Sequence, residues 1–264
     1  MKIGVFDSGL GGLIVARAIH QALPEYDYVY LGDTKRVPYG NRSHEAIFEF
    51  TKQGVDYLFR KGNCAIIIIA CNTASARALR RIQKEYLPKN FPSRKVLGVL
   101  IPAAEEAAKF NRIGVLGTLG TVSSGTFPKE IKKLNKQAKI FQNPAPMLVP
   151  LAEERETENA LPFIKKYLRP FANKKLDALV LGCTHYPLFK KEIRKILGKN
   201  INVISQDEII PKKLKNYLEK HPEVSKRLSK NETAKILVTD LTQSVNQLSK
   251  KWFGKKTKPK LINI

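Results

Sequence analysis

Residues Ala65–Ser75 read A-I-I-I-I-A-C-N-T-A-S. Four successive isoleucines leave no polar position to face solvent, so both faces of this run are expected to be covered. β-branched side chains favour a strand, and the polar Asn-Thr after the cysteine suits a helix start. A strand covered on both faces belongs in a parallel sheet with helices on each side. Working outward, comparable strands are expected at 2–6, 27–31, 96–100, 113–117, 177–181, 201–204, 234–238 and 260–263. Amphipathic stretches lie between them, at about 11–23, 43–61, 73–87, 102–110, 122–135, 157–172, 186–198, 208–220 and 241–252. This alternation predicts an α/β protein with mainly parallel sheets and right-handed crossovers.

The deciding stretch has a partner. Ala178–Pro187 reads A-L-V-L-G-C-T-H-Y-P, again a buried run, a cysteine, a hydrogen-bonding residue and a helix start. Ile3–Gly12 (I-G-V-F-D-S-G-L-G-G) and Ile113–Gly125 (I-G-V-L-G-T-L-G-T-V-S-S-G) form a second echo. Two similar α/β halves facing each other account for both.

Composition narrows the class. The 264 residues are 43% hydrophobic, enough for a substantial core. The three cysteines are odd in number and include no C-x-x-C pair, which points to a reducing, cytoplasmic setting. The N-terminus runs directly into a strand without a signal segment, and no apolar run approaches the ~20 residues that span a bilayer. The net charge of +24 attracts anions. No nucleic-acid motif accompanies it and the lysines sit at helix-surface spacing, so the field reads as a solvated surface.

Chemistry concentrates on Cys71 and Cys183. Each follows the carboxyl end of a strand, where open α/β sheets place ligands. Each is expected at a helix N-terminus, which would lower the thiol pKa and favour a thiolate. Asn72 and Thr73, and Thr184 and His185, supply donors beside the sulfurs. Cys64 lacks polar neighbours and reads as structural. Asp7–Gly12 (D-S-G-L-G-G) is a turn able to cradle an anion, or Asp7 is simply a helix cap. Thr118, Thr121, Ser123 and Ser124 crowd another strand end as carboxylate donors or as caps. Pro38-Tyr39-Gly40 is a turn whose tyrosine lines a pocket or packs. Glu153 opens an acidic run that suits a solvated helix. Trp252 reads as the anchor of the last amphipathic helix, with a role in a pocket as the sharper alternative.

Taken together, F-D-S-G-L-G-G, G-D-T-x-R-x-P-Y-G (Gly32–Gly40), A-C-N-T-A-S, G-T-x-x-T-V-S-S (Gly117–Ser124), V-P-L-A-E (Val149–Glu153) and L-G-C-T-H-Y-P-L (Leu181–Leu188) resemble the glutamate racemases, in that family's order. The resemblance implies two Rossmann-like or flavodoxin-like α/β domains, residues 1–97 with 209–264 and residues 98–208, and an active site in the cleft between them. It implies cofactor-independent racemisation by two thiols: Cys71 the base for D-glutamate, assisted by Asp7, and Cys183 the base for L-glutamate, assisted by His185, with Glu153 a further member of the Asp7 and His185 group. Ser8, Pro38, Tyr39, Gly40, Asn72, Thr73, Thr118, Thr121, Glu153 and Thr184 are then the residues holding the substrate. Family likeness further implies a homodimer and D-glutamate supply for peptidoglycan, with no metal. Two departures stand out: Ala145 replaces a cysteine common in the family, and Ser205-Gln206-Asp207 stands in place of Asp-Ser-Gly.

Other readings of the same residues are an aspartate racemase with the same thiols, a hydrolase built on Cys183 and His185, a zinc site of Cys71, Cys183 and His185, a pyridoxal-phosphate racemase, and a basic binding protein without catalysis. The length of the chain and the G-D-T…P-Y-G segment favour glutamate over aspartate.

Overall fold

The computed structural model describes all 264 residues and contains two parallel sheets. The first has the order β10-β9-β2-β1-β3-β4 and is built from β1 (Lys2–Asp7), β2 (Tyr28–Gly32), β3 (Cys64–Ile69), β4 (Lys95–Gly98), β9 (Ala234–Val238) and β10 (Lys260–Leu261). The second has the order β6-β5-β7-β8 and holds β5 (Arg112–Gly117), β6 (Lys139–Pro144), β7 (Ala178–Gly182) and β8 (Asn202–Ile204). Alternate residues of β3 enter opposite cores: Ile66 and Ile68 pack with Leu13, Ile19 and Leu214, while Ile67 and Ile69 pack with Phe6, Val55 and Leu58. In β7, Leu179 and Leu181 face one core and Val180 the other. Both deciding runs are therefore covered on both faces, as their composition requires.

The two sheets share a pattern. β2-β1-β3-β4 matches β6-β5-β7-β8 strand for strand. The sequence echoes fall on equivalent strands, β1 with β5 and β3 with β7. Every strand expected from sequence is present, and one was missed: β6, the counterpart of β2. It lies at a sheet edge and its residues are half-buried or exposed, so K-I-F-Q-N-P carries no apolar run to betray it.

Several expected helices are broken. The stretch 73–87 is a helix Asn72–Arg77, a short turn, a π-turn Ile82–Tyr86 and a last turn to Asn90. The stretch 122–135 divides at Gly125, whose φ of 63° is left-handed backbone that glycine adopts without strain. The stretch 157–172 is helical only over Leu161–Leu168, flanked by 3-10 turns. The helix Gln206–Lys220 carries the chain back from β8 and packs on the helix Gly12–Ala22 beside the first sheet. No helix is long and apolar enough to cross a membrane.

Candidate active site

Six loops, each leaving the carboxyl end of a strand, meet at one cavity of about 390 Å³. β1, β2 and β3 contribute Ser8, Pro38, Tyr39, Gly40, Cys71, Asn72 and Thr73; β5, β6 and β7 contribute Thr118, Glu153, Cys183, Thr184 and His185. The remaining expected residues, Asp7 and Thr121, do not line the cavity; they are fully buried behind its wall. A larger groove of about 900 Å³, lined by residues such as Arg194, Lys199 and Lys212, contains no thiol. Both Cys71 and Cys183 line the smaller cavity.

Cys71 caps the helix Asn72–Arg77, its Sγ accepting from the Ala74 N–H at 3.4 Å and from the Ser8 hydroxyl at 3.2 Å. The expectation that this position lowers the thiol pKa is not met. Burial, reinforced by the nearby Asp7 carboxylate, pushes Cys71 up to about 12, outweighing the two donors. A six-residue helix offers too little field to compensate. Below about 12 the group is a thiol, so its alkylation rate should climb with pH throughout the alkaline range. Mass-spectrometric labelling of Cys71 against pH checks this; a rate already at its plateau near neutrality contradicts it.

Asp7 accepts from the Gly9 N–H at 2.9 Å, and the Thr184 hydroxyl approaches its other oxygen at 3.5 Å. Burial raises its pKa, opposed by the charge of His185.

Cys183 does not begin a regular helix. It lies ahead of a 3-10 turn, Tyr186–Phe189, and the α-helix starts only at Lys190. Its partner is His185, with Nδ1 3.7 Å from the sulfur and Nε2 2.9 Å from Glu153 Oε1. Burial alone would lower the imidazole pKa, but hydrogen bonds to Cys183 and Glu153 prevail and push it up to about 10. At neutral pH His185 is a cation donating at both nitrogens. Glu153, whose acidic run alone suits a solvated helix but which the resemblance groups with Asp7 and His185, ends the helix Leu148–Glu153 and completes this relay. Trp252 anchors the last helix in the first core, as the plainer reading held, and its ring also meets His185 edge-on at 5.6 Å.

Tyr39 lines the cavity, but its hydroxyl is committed elsewhere: it donates to Asp33 Oδ2 at 2.5 Å. Asp33 also receives Arg36 Nε at 2.6 Å and the Thr239 hydroxyl at 2.9 Å, which fixes the Gly32–Gly40 turn. Any contact from Tyr39 to a ligand must come from another part of the residue.

The halves interlock beside the cavity. Thr73 Oγ1 lies 2.8 Å from Thr118 Oγ1 and 3.2 Å from Thr121 Oγ1, and the latter two are 3.0 Å apart. A Cβ on Gly11 would sit 2.5 Å from Thr184 Oγ1 and 2.6 Å from the His185 ring, so only glycine admits this approach. Sequence reading missed the apolar wall of Val37, Leu119, Pro146, Met147, Val149 and Pro150. The apolar A-P-M-L-V-P stretch at 145–150 was available as a signal, but the strand that delivers it was not recognised.

One thiol from each half, each with its own polar partners, in a cleft ringed by strand-end loops, is the arrangement of an α/β enzyme and suits proton transfer from two sides. The comparisons agree with that class. The chain belongs to the Asp/Glu/hydantoin racemase family, whose profile matches residues 6–209. It is 40% identical to the glutamate racemase of Aquifex aeolicus, over 100% of this chain and 98% of that one. A crystal structure of a Bacillus anthracis glutamate racemase superposes with a TM-score of 0.90 at 32% identity, covering 100% of this chain and 97% of the other. The Francisella tularensis glutamate racemase in complex with D-glutamate gives 0.89 at 30% identity, over 99% and 97%.

Proposed function

We propose that this protein interconverts L- and D-glutamate without a cofactor, supplying D-glutamate for peptidoglycan. The carrying observation is the pair of thiols, one from each half, on a single cavity. With L-glutamate bound, the Cys183 sulfur takes the Cα proton and the bonding electrons remain as a carbanion delocalised into the carboxylate. The Cys71 thiol delivers its proton to the opposite face, leaving a thiolate; the reverse reaction begins there. His185 exchanges protons with Cys183, and Asp7 adjusts the Cys71 side.

The cavity contains no Lys or Arg despite the charge of +24, and its one cationic side chain, His185, is engaged by Cys183 and Glu153, so the substrate carboxylates are left to neutral donors. Ser8, Asn72, Thr73, Thr118 and Thr184 supply them. Cys71 and Asp7 belong to the domain of residues 1–97 and 209–264, Cys183 and His185 to that of 98–208. Family resemblance supports a homodimer, and three unpaired, buried cysteines support a cytoplasmic setting.

The Cys183–His185–Glu153 relay also suits a thiol nucleophile of a hydrolase. That reading leaves Cys71 and its Ser8 contact without work. Circular dichroism of L- and D-glutamate with the purified protein in deuterated water decides. Both signals should decay and deuterium should enter Cα; decay with aspartate alone would change the substrate, and silence with both would end the racemase reading.

A further inference from the structure

The loop that returns the chain from β8 to the first sheet touches the site through one residue. Gln206, wholly buried at the start of the helix Gln206–Lys220, donates from Nε2 to Asn72 Oδ1 at 3.0 Å. Asn72 is the neighbour of Cys71, lies on the cavity wall and is 2% exposed. Its Nδ2 has no partner in the protein, and neither has Gln206 Oε1. Buried amide groups are nearly always satisfied, so a lone donor at a cavity wall marks a place for a ligand acceptor.

A primary amide has one acceptor end and one donor end, and whatever holds one end decides what the other offers. We infer that Gln206 is a positioning residue: by donating to Oδ1 it keeps Asn72 turned so that Nδ2 is the end available to a substrate carboxylate. This rests on the reading of the cavity as the glutamate site. Gln206 itself contacts no reacting atom. Its place in the return segment couples the orientation of a group beside Cys71 to the connection between the two sheets. The expected Asp-Ser-Gly has no amide at this position and could not do this in the same way.

The test compares wild type with Gln206→Met and Gln206→Glu, each checked for a cooperative thermal transition. Gln206→Met removes the donor at similar volume and should raise the KM for glutamate about threefold or more, with kcat within about twofold. Gln206→Glu, when ionised, only accepts; it should reverse Asn72 and raise KM about tenfold or more, the scale of a lost hydrogen bond to a charged group. A purely structural role would lower the amount of active enzyme, hence kcat, and leave KM alone. Either folded variant with a KM within about twofold of an active wild type overturns the inference and leaves the racemase reading standing. A wild type inert toward glutamate removes both.

Discussion

Cys71→Ala and Cys183→Ala should each abolish glutamate racemisation, lowering kcat by about a thousandfold or more while the fold survives. Loss of one positioned acid–base group costs roughly 10²–10⁴ in rate, and every turnover in either direction needs both sulfurs. Neither removal should unfold the protein. Both sulfurs border the cavity at the margin of the apolar clusters they belong to, and two large apolar clusters flank each sheet. The two enantiomers are equal in free energy, so wild-type kcat/KM must be the same for both at every pH. Each variant must therefore lose kcat/KM equally in both directions, whichever sulfur is gone. Circular dichroism with each enantiomer, beside a thermal melt, makes the measurement. A Cys71→Ala variant keeping more than about a tenth of wild-type activity would refute the two-sided mechanism and return attention to the Cys183–His185 nucleophile.

Gly11→Ala should be a severely damaging single-methyl change beside the site, with activity reduced about a hundredfold. The added carbon would lie 2.5 Å from Thr184 Oγ1 and 2.6 Å from His185 Cε1 and Nδ1. His185 has little room to yield, since Glu153 holds one nitrogen at 2.9 Å and Trp252 backs the ring. The response is a shift of the D-S-G-L-G-G turn away from the second half, which carries Ser8 away from Cys71. A displacement near 1 Å in a proton-transfer site costs on the order of a hundredfold. Kinetics of Gly11→Ala, with Gly125→Ala as a comparison, test this. Nothing lies within 4 Å of a Cβ on Gly125, so that change strains only the backbone turn and should cost stability rather than turnover. Equal losses of kcat in the two would sink the steric account.

Much of this was legible in the chain because buried strands write plainly. Ile66–Ile69 and Leu179–Leu181 have no solvent-facing side, and a cysteine after each marked both walls of the cleft. β6 was illegible for the opposite reason: an edge strand needs no continuous apolar run. With it went the apolar wall from Pro146 to Pro150. The cap at Cys71 was foreseen but its thiol pKa was not. That value depends on burial and on Asp7, which is distant in sequence and becomes a neighbour only in the fold. The partnership of Glu153 with His185 is likewise a product of two loops meeting. Tyr39 is legible as a cavity residue from its turn, but the folded turn is what commits its hydroxyl to Asp33.

The two walls have equivalent strands beneath them and different groups upon them: Ser8 and Asp7 behind one sulfur, His185, Glu153 and Trp252 behind the other. D- and L-glutamate are mirror images, but a chain of L-residues contains no mirror plane. No arrangement of such residues can treat the two hands identically. Thermodynamics ties the ratio of kcat to KM, and nothing ties either constant alone. A mimic of D-glutamate and a mimic of L-glutamate should therefore be different ligands for this cleft, one set against the Cys71 wall and the other against the Cys183–His185 wall.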